Sequence, residues 1–138
     1  MNTRSQKIGQ LCKKYQVKAL YVFGSRSTEA LHAFQDDTYK LKQSQSDLDI
    51  GILSQASFSL DNKVSLALEL EELFNVSRVD LVVLQEADAF LAANIIRGER
   101  LYAKDSYLAD EYDLFVLRRA GDLAALERER MAMILQEG

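Results

Sequence analysis

Val22-Phe23-Gly24-Ser25-Arg26 and Ser46-Asp47-Leu48-Asp49-Ile50 are the stretches on which the reading of this chain turns. The first is an apolar run that breaks into a small-residue turn. The second sets two carboxylates two residues apart at the start of another apolar run. In a strand, residues i and i+2 share a face. Asp47 and Asp49 are therefore predicted side by side on one face, with Leu48 and Ile50 turned into a core. Carboxylates this close repel unless a cation lies between them. Hard oxygen donors suit Mg²⁺, which takes one or two carboxylates together with substrate phosphates. A Gly-Ser turn leaving a strand offers backbone N–H groups and a hydroxyl to a phosphate. The plain alternative is that Gly24-Ser25 is a simple strand-to-helix turn.

The rest of the composition sets bounds. A chain of 138 residues, 48% hydrophobic and 28% charged, is that of one ordinary globular domain, residues 1–138. Cys12 is the only cysteine, which excludes disulfide frameworks and zinc clusters and fits a cytoplasmic address. No apolar run approaches ~18 residues, so neither a signal peptide nor a membrane span is expected. A net charge of −4 argues against a general nucleic-acid binder. It does not argue against one nucleotide held through a metal.

Taken in order, Thr3 to Tyr15 has Ile8, Leu11, Cys12 and Tyr15 on one helical face, with Thr3 or Ser5 as cap. Val17 to Phe23 reads as a strand. Thr28 to Phe34 allows a helical turn or two, and Asp36 to Gln45 reads as an exposed polar loop with Asp36 and Asp37 solvated. The single histidine, His32, reads as a surface or helix-edge residue. Asp47 to Leu53 is the second strand. Leu60 to Asn75 is the clearest helix, with Val64, Leu66, Ala67, Leu68, Leu70, Leu73 and Phe74 on a broad apolar face. Arg78 to Leu84 is the third strand, and its aliphatic run predicts cover on both faces. Asp80 is the oddity inside it. It is either an edge-strand carboxylate paired with Arg78 or a third metal ligand beside Asp47 and Asp49. Glu86 to Arg97 is a helix with Phe90, Leu91, Ile95 and Ile96 inward, Glu99 to Ala103 a short extended piece, and Ser106 to Gln136 largely helical with a kink or break at Gly121.

Gly24-Ser25, Asp47-x-Asp49 and the later Asp80 resemble the DNA polymerase β-like nucleotidyltransferase superfamily. Ser-Asp-Leu-Asp-Ile and Ile95-Ile96-Arg97-Gly98-Glu99-Arg100-Leu101-Tyr102 look like its minimal nucleotidyltransferase (MNT) branch, the antitoxin half of HEPN/MNT toxin–antitoxin pairs. The resemblance covers roughly residues 17 to 103. It implies an α+β fold, a small mixed sheet flanked by helices, with a helical segment at about 106–136. It implies transfer of AMP from ATP to a hydroxyl, a tyrosine of a partner HEPN ribonuclease toxin, in a hetero-oligomer with that toxin. Asp47, Asp49 and Asp80 would be the catalytic and metal residues and hold two Mg²⁺ ions, with Asp80 as general base. Gly24, Ser25 and Arg26 would bind the ATP phosphates. The spacer between Ser25 and Asp47 is longer than the family's usual one and implies an insertion at about residues 28–45. Two rivals are a transferase acting on a small molecule such as an aminoglycoside, and an antitoxin that acts by binding alone.

Overall fold

The computed structural model of the protein describes residues 3–43 and 46–137. Its helices are α1 (Arg4–Lys14), α2 (Ser27–Gln35), α3 (Leu60–Phe74), α4 (Ala89–Ile96) and α5 (Ser106–Glu137). Its strands are β1 (Val17–Phe23), β2 (Leu48–Ser54), β3 (Val79–Val83) and β4 (Glu99–Ala103). The strands form one mixed sheet in the order β3-β2-β1-β4. β1 pairs antiparallel with β2 and β4, and β2 pairs parallel with β3 across the α3 connection. The expected α+β architecture is the one observed.

Side-chain alternation splits the core in two. Leu20 and Val22 of β1, Ile50 and Ile52 of β2, and Leu81 and Val83 of β3 face one way. They meet Ile8 and Cys12 of α1, Ala30 and Ala33 of α2, and Leu66, Leu70 and Phe74 of α3. Tyr21 and Phe23 face the other way, onto Ala92, Ala93 and Ile95 of α4 and Val116 and Ala120 of α5. Each large apolar side chain so buried contributes about 1.5–3 kcal/mol. Gly51 lets α4 approach the second face: a Cβ there would lie 2.5 Å from Ile95 Cγ2.

Local chemistry places the helix ends. Thr3 caps α1 in a reciprocal box, accepting from Gln6 N at 3.2 Å while Gln6 Oε1 accepts from Thr3 N at 2.9 Å. Ser59 caps α3 and Asp88 caps α4. Asn75 ends α3 with φ +54°, a conformation asparagine tolerates.

Three expectations need correction. β3 is an edge strand whose residues alternate, with Asp80 exposed and Val82 half-covered, so it is not buried on both faces. α5 runs unbroken through Gly121, because nothing crowds that residue and its neighbours are strong helix formers. Val64, Leu68, Phe90, Leu108 and Phe115 are exposed; Leu66, Leu70 and Phe74 make the contacts of α3, and in α4 and α5 small residues such as Ala89, Ala93, Ala109 and Ala120 are buried. Residues 27–43 follow the expectation of a short helix and then an exposed loop. α2 has nine residues, and Arg4 Nη1 donates to the carbonyls of Ala33, Asp36 and Tyr39 at 3.0, 3.1 and 2.8 Å. Asp36 accepts from Thr38, and exposed His32 packs edge-on against Tyr39. Ser44 and Gln45, part of the expected loop and insertion, lie outside the described residues.

Candidate active site

The site forms where β1 ends and where β2 and β3 begin. Asp49 lies opposite Phe23 in the antiparallel ladder and opposite Asp80 in the parallel one. Register alone therefore brings two carboxylates from adjacent strands to one face, just beyond the α4-covered core. Asp49 is half-buried, and its carboxyl is held above the usual range, first by desolvation, then by the charges of Asp80 and Asp47.

Asp47 stands one residue before β2. Its Oδ2 is 3.7 Å from Arg78 Nε, one residue before β3, and the Leu48 N–H donates to the Arg78 carbonyl at 3.0 Å. Arg78 thus pairs with Asp47, not with Asp80. The pair is solvent-exposed and adds little to stability. Among the described residues, no three acidic, His or Cys side chains close on one point. The three aspartates are an open set of hard oxygen donors around Asp49, and that donor chemistry fits a divalent cation.

Gly24 is the other wall. Its φ is +78°, and a Cβ on it would lie 2.4 Å from Asp49 Oδ2. Ser25 is exposed beside it. The chain then turns into α2, with Ser27 N donating to the Gly24 carbonyl at 3.3 Å. The residue at the N-cap, Arg26, makes no side-chain capping bond. The turn thus combines a glycine that lets the backbone approach closely, an exposed hydroxyl and a helix start that no side chain caps.

Arg26 is not where the sequence reading put it. Its side chain is 5% exposed and points inward. Nη1 donates to the Ser46 carbonyl at 3.2 Å, and Nη2 to the Lys42 carbonyl at 2.6 Å and to Glu29 Oε2 at 3.3 Å. The guanidinium is occupied by two backbone carbonyls and by Glu29. Glu29 was missed in the sequence. Its only signal there is the i,i+3 spacing from Arg26.

A groove of about 780 Å³ lies elsewhere, lined mainly by α1 and α3 residues. Lys14 Nζ there meets Glu69 Oε1 at 3.1 Å, and none of the three aspartates lines it.

Comparison with known proteins agrees with this geometry. The family described as polymerase beta nucleotidyltransferase matches residues 6–107. Three solved structures resemble the chain over nearly its whole length. One is a mutant MntA-HpeT toxin–antitoxin: 23% identity, TM-score 0.64, covering 99% of this chain and 98% of that one. Another is a toxin–antitoxin with AMP-PNP: 24% identity, TM-score 0.63, covering 96% of each chain. A third is a tri-AMPylated Shewanella oneidensis HEPN toxin in complex with MNT antitoxin: 23% identity, TM-score 0.60, covering 96% of this chain and 94% of that one. At these identities the likeness establishes the fold. No curated protein matches the chain.

Proposed function

The chain belongs to the polymerase β nucleotidyltransferase family, and on that premise we propose that it is an antitoxin that transfers AMP from ATP to a hydroxyl of a partner HEPN ribonuclease toxin, and so silences it. The observation that carries the reading is the pairing of Asp49 with Asp80, with Asp47 beside them, against the Gly24 turn. The AMP-PNP and AMPylated-toxin structures that share the fold support the choice of nucleotide and partner.

Gly24 and Ser25 hold the terminal phosphates by backbone N–H and hydroxyl. The acceptor hydroxyl, taken to be a tyrosine's, attacks the α-phosphorus. The bond from that phosphorus to the bridging oxygen breaks, and pyrophosphate leaves. The hydroxyl proton passes to Asp80, the most solvent-exposed of the three carboxylates. Two Mg²⁺ ions held by Asp47, Asp49 and Asp80 would neutralise the charge that gathers on the phosphates and the attacking oxygen. Because positioning and charge stabilisation do most of such work, each carboxylate should be worth about 10²–10³ in rate. The site's acidity fits a cation-mediated substrate and not direct binding of a polynucleotide. Among the described residues no helix is long and apolar enough to cross a membrane, and action on a cytoplasmic toxin needs none.

A partner protein also fits the far half of α5, where Leu126, Met133, Ile134 and Leu135 are exposed. That surface favours one second reading, neutralisation by binding alone. Incubation with labelled ATP, Mg²⁺ and the toxin separates the two. The transferase reading expects label on the toxin with the wild type and none with Asp47→Ala. An unlabelled toxin with both, still neutralised by both, would leave binding alone.

A further inference from the structure

Arg26 and Glu29 form a clip on the segment that leads into Asp47. Lys42 is gripped at both of its backbone groups: its carbonyl accepts from Arg26 Nη2 at 2.6 Å, and its N–H donates to Glu29 Oε2 at 3.2 Å. The two side chains also pair, Arg26 Nη2 to Glu29 Oε2 at 3.3 Å. The other arm of the fork, Nη1, holds the Ser46 carbonyl at 3.2 Å. That carbonyl belongs to the peptide unit whose nitrogen is Asp47's. One planar guanidinium therefore spans two carbonyls four residues apart and fixes the peptide from which the Asp47 carboxylate projects. Leu41, 7% exposed, anchors the segment in the core next to the clip. Among the described residues Arg26 Nε has no partner, so the arginine is buried without full satisfaction of its donors.

We infer that Arg26 and Glu29 are positioning residues for cation binding: by clamping Lys42 and Ser46 they hold Asp47 within reach of the cation that Asp49 and Asp80 share. The inference rests on the nucleotidyltransferase reading of the three aspartates. Neither clip residue touches substrate. Lysine cannot replace Arg26, because an ammonium lacks the rigid fork needed to reach both carbonyls. Groups that orient a ligand residue typically govern about 10–100-fold in metal affinity.

The test is Mn²⁺ binding to the full chain by calorimetry, with amide hydrogen exchange at Lys42, whose N–H the clip holds. Wild type, Arg26→Lys, Glu29→Gln and Asp47→Asn are compared, together with AMP binding without metal. The clip predicts that Arg26→Lys weakens Mn²⁺ binding about tenfold or more and speeds exchange at Lys42, with metal-free AMP binding unchanged. Should Arg26→Lys fail to fold, Glu29→Gln, whose side chain is 29% exposed, gives the same comparison in milder form. Faster exchange with wild-type Mn²⁺ affinity overturns the inference, because the clip would then only hold the loop. An equal loss of metal-free AMP binding overturns it too, because Arg26 would then serve the nucleotide itself. If wild type and Asp47→Asn alike bind no Mn²⁺, the metal site falls and the clip's purpose with it. If Mn²⁺ binding depends on Asp47 but not on either clip residue, only the clip falls.

Discussion

A Cβ on Gly24 would stand 2.4 Å from Asp49 Oδ2, so the Gly24 turn and the central carboxylate exclude each other's volume. The two demands on Gly24 act differently. Its φ of +78° costs any L-residue about 1–2 kcal/mol of stability. The clash is with the free end of a side chain, which relieves it by swinging away. Gly24→Ala should therefore lose about 1–2 kcal/mol in urea unfolding, but lose AMP transfer by about 100-fold or more. Parallel small losses in both measurements would contradict the arrangement.

Asp49 is desolvated and repelled by the charges of Asp80 and Asp47 in the free protein. Its raised pKa means that the charged form is disfavoured by the fold. Stability tied to this group is present below its ordinary pKa and declines as pH rises through the raised one. Asp49→Asn removes the charge and should raise the melting temperature near neutral pH by about 1–3 °C while abolishing transfer. Mg²⁺ with a non-hydrolysable ATP analogue should reverse the order by stabilising the wild type alone. Scanning calorimetry with and without that ligand shows both effects.

Much of this was legible in the residues because the two-residue period of a strand governs it. Alternation turned Leu48 and Ile50 into the core, and the i,i+2 aspartates carried their chemistry to the other face. Asp80 was legible as an anomaly in an aliphatic run. Its place on an edge strand was one of the two alternatives open there, but the choice between them was not legible, because strand order depends on which neighbour is missing and no local pattern encodes that. Arg26 misled for a related reason. Beside a phosphate turn an arginine invites a phosphate, yet its partners are carbonyls sixteen and twenty residues ahead. The helices misled through size. Large apolar side chains such as Phe90 and Phe115 drew the face, while alanines that permit close approach made the contacts.

Tyr21 binds α5 to the sheet. Its hydroxyl donates to Asp113 Oδ1, and Arg100 on the neighbouring strand reaches Asp113 Oδ2 at 3.1 Å and Asp110 Oδ1 at 2.8 Å. Burial, and then the bond to Asp113, pushes the Tyr21 phenol well above its ordinary range, so it stays a donor. Tyr21→Phe leaves a half-buried carboxylate short of one donor and should cost about 1–3 kcal/mol in chemical denaturation. Tyr21 lies opposite Gly51, not Asp49, so Mn²⁺ affinity should not change.

Acid should loosen α1 from α3 through Glu69. Its carboxyl is held below the ordinary value of 4.5, first by the Tyr15 hydroxyl and then by Lys14. A depressed carboxylate contributes stability that is present above its unfolded pKa and is lost as pH falls through the folded one. The melting temperature of the wild type should therefore fall below about pH 4.5 more steeply than that of Glu69→Gln. Equal slopes would mean that the contact is screened away.

The far half of α5 should be dispensable for folding and required for the partner. The last buried contacts of the helix are Val116 and Ala120, about one turn before Leu123. Beyond them Leu126, Met131, Met133, Ile134 and Leu135 are exposed on the helix with nothing of this chain against them among the described residues. A single apolar stripe would need only one neighbour, whereas the consecutive apolar run 131–135 faces every direction and calls for an enclosing surface. Removing residues 126–138 deletes no core side chain. It should leave the melting temperature within about 3 °C, Mn²⁺ binding intact and transfer to the toxin lost. Retained toxin binding by the shortened chain, measured by calorimetry, would move the interface to the sheet edge beside Asp80.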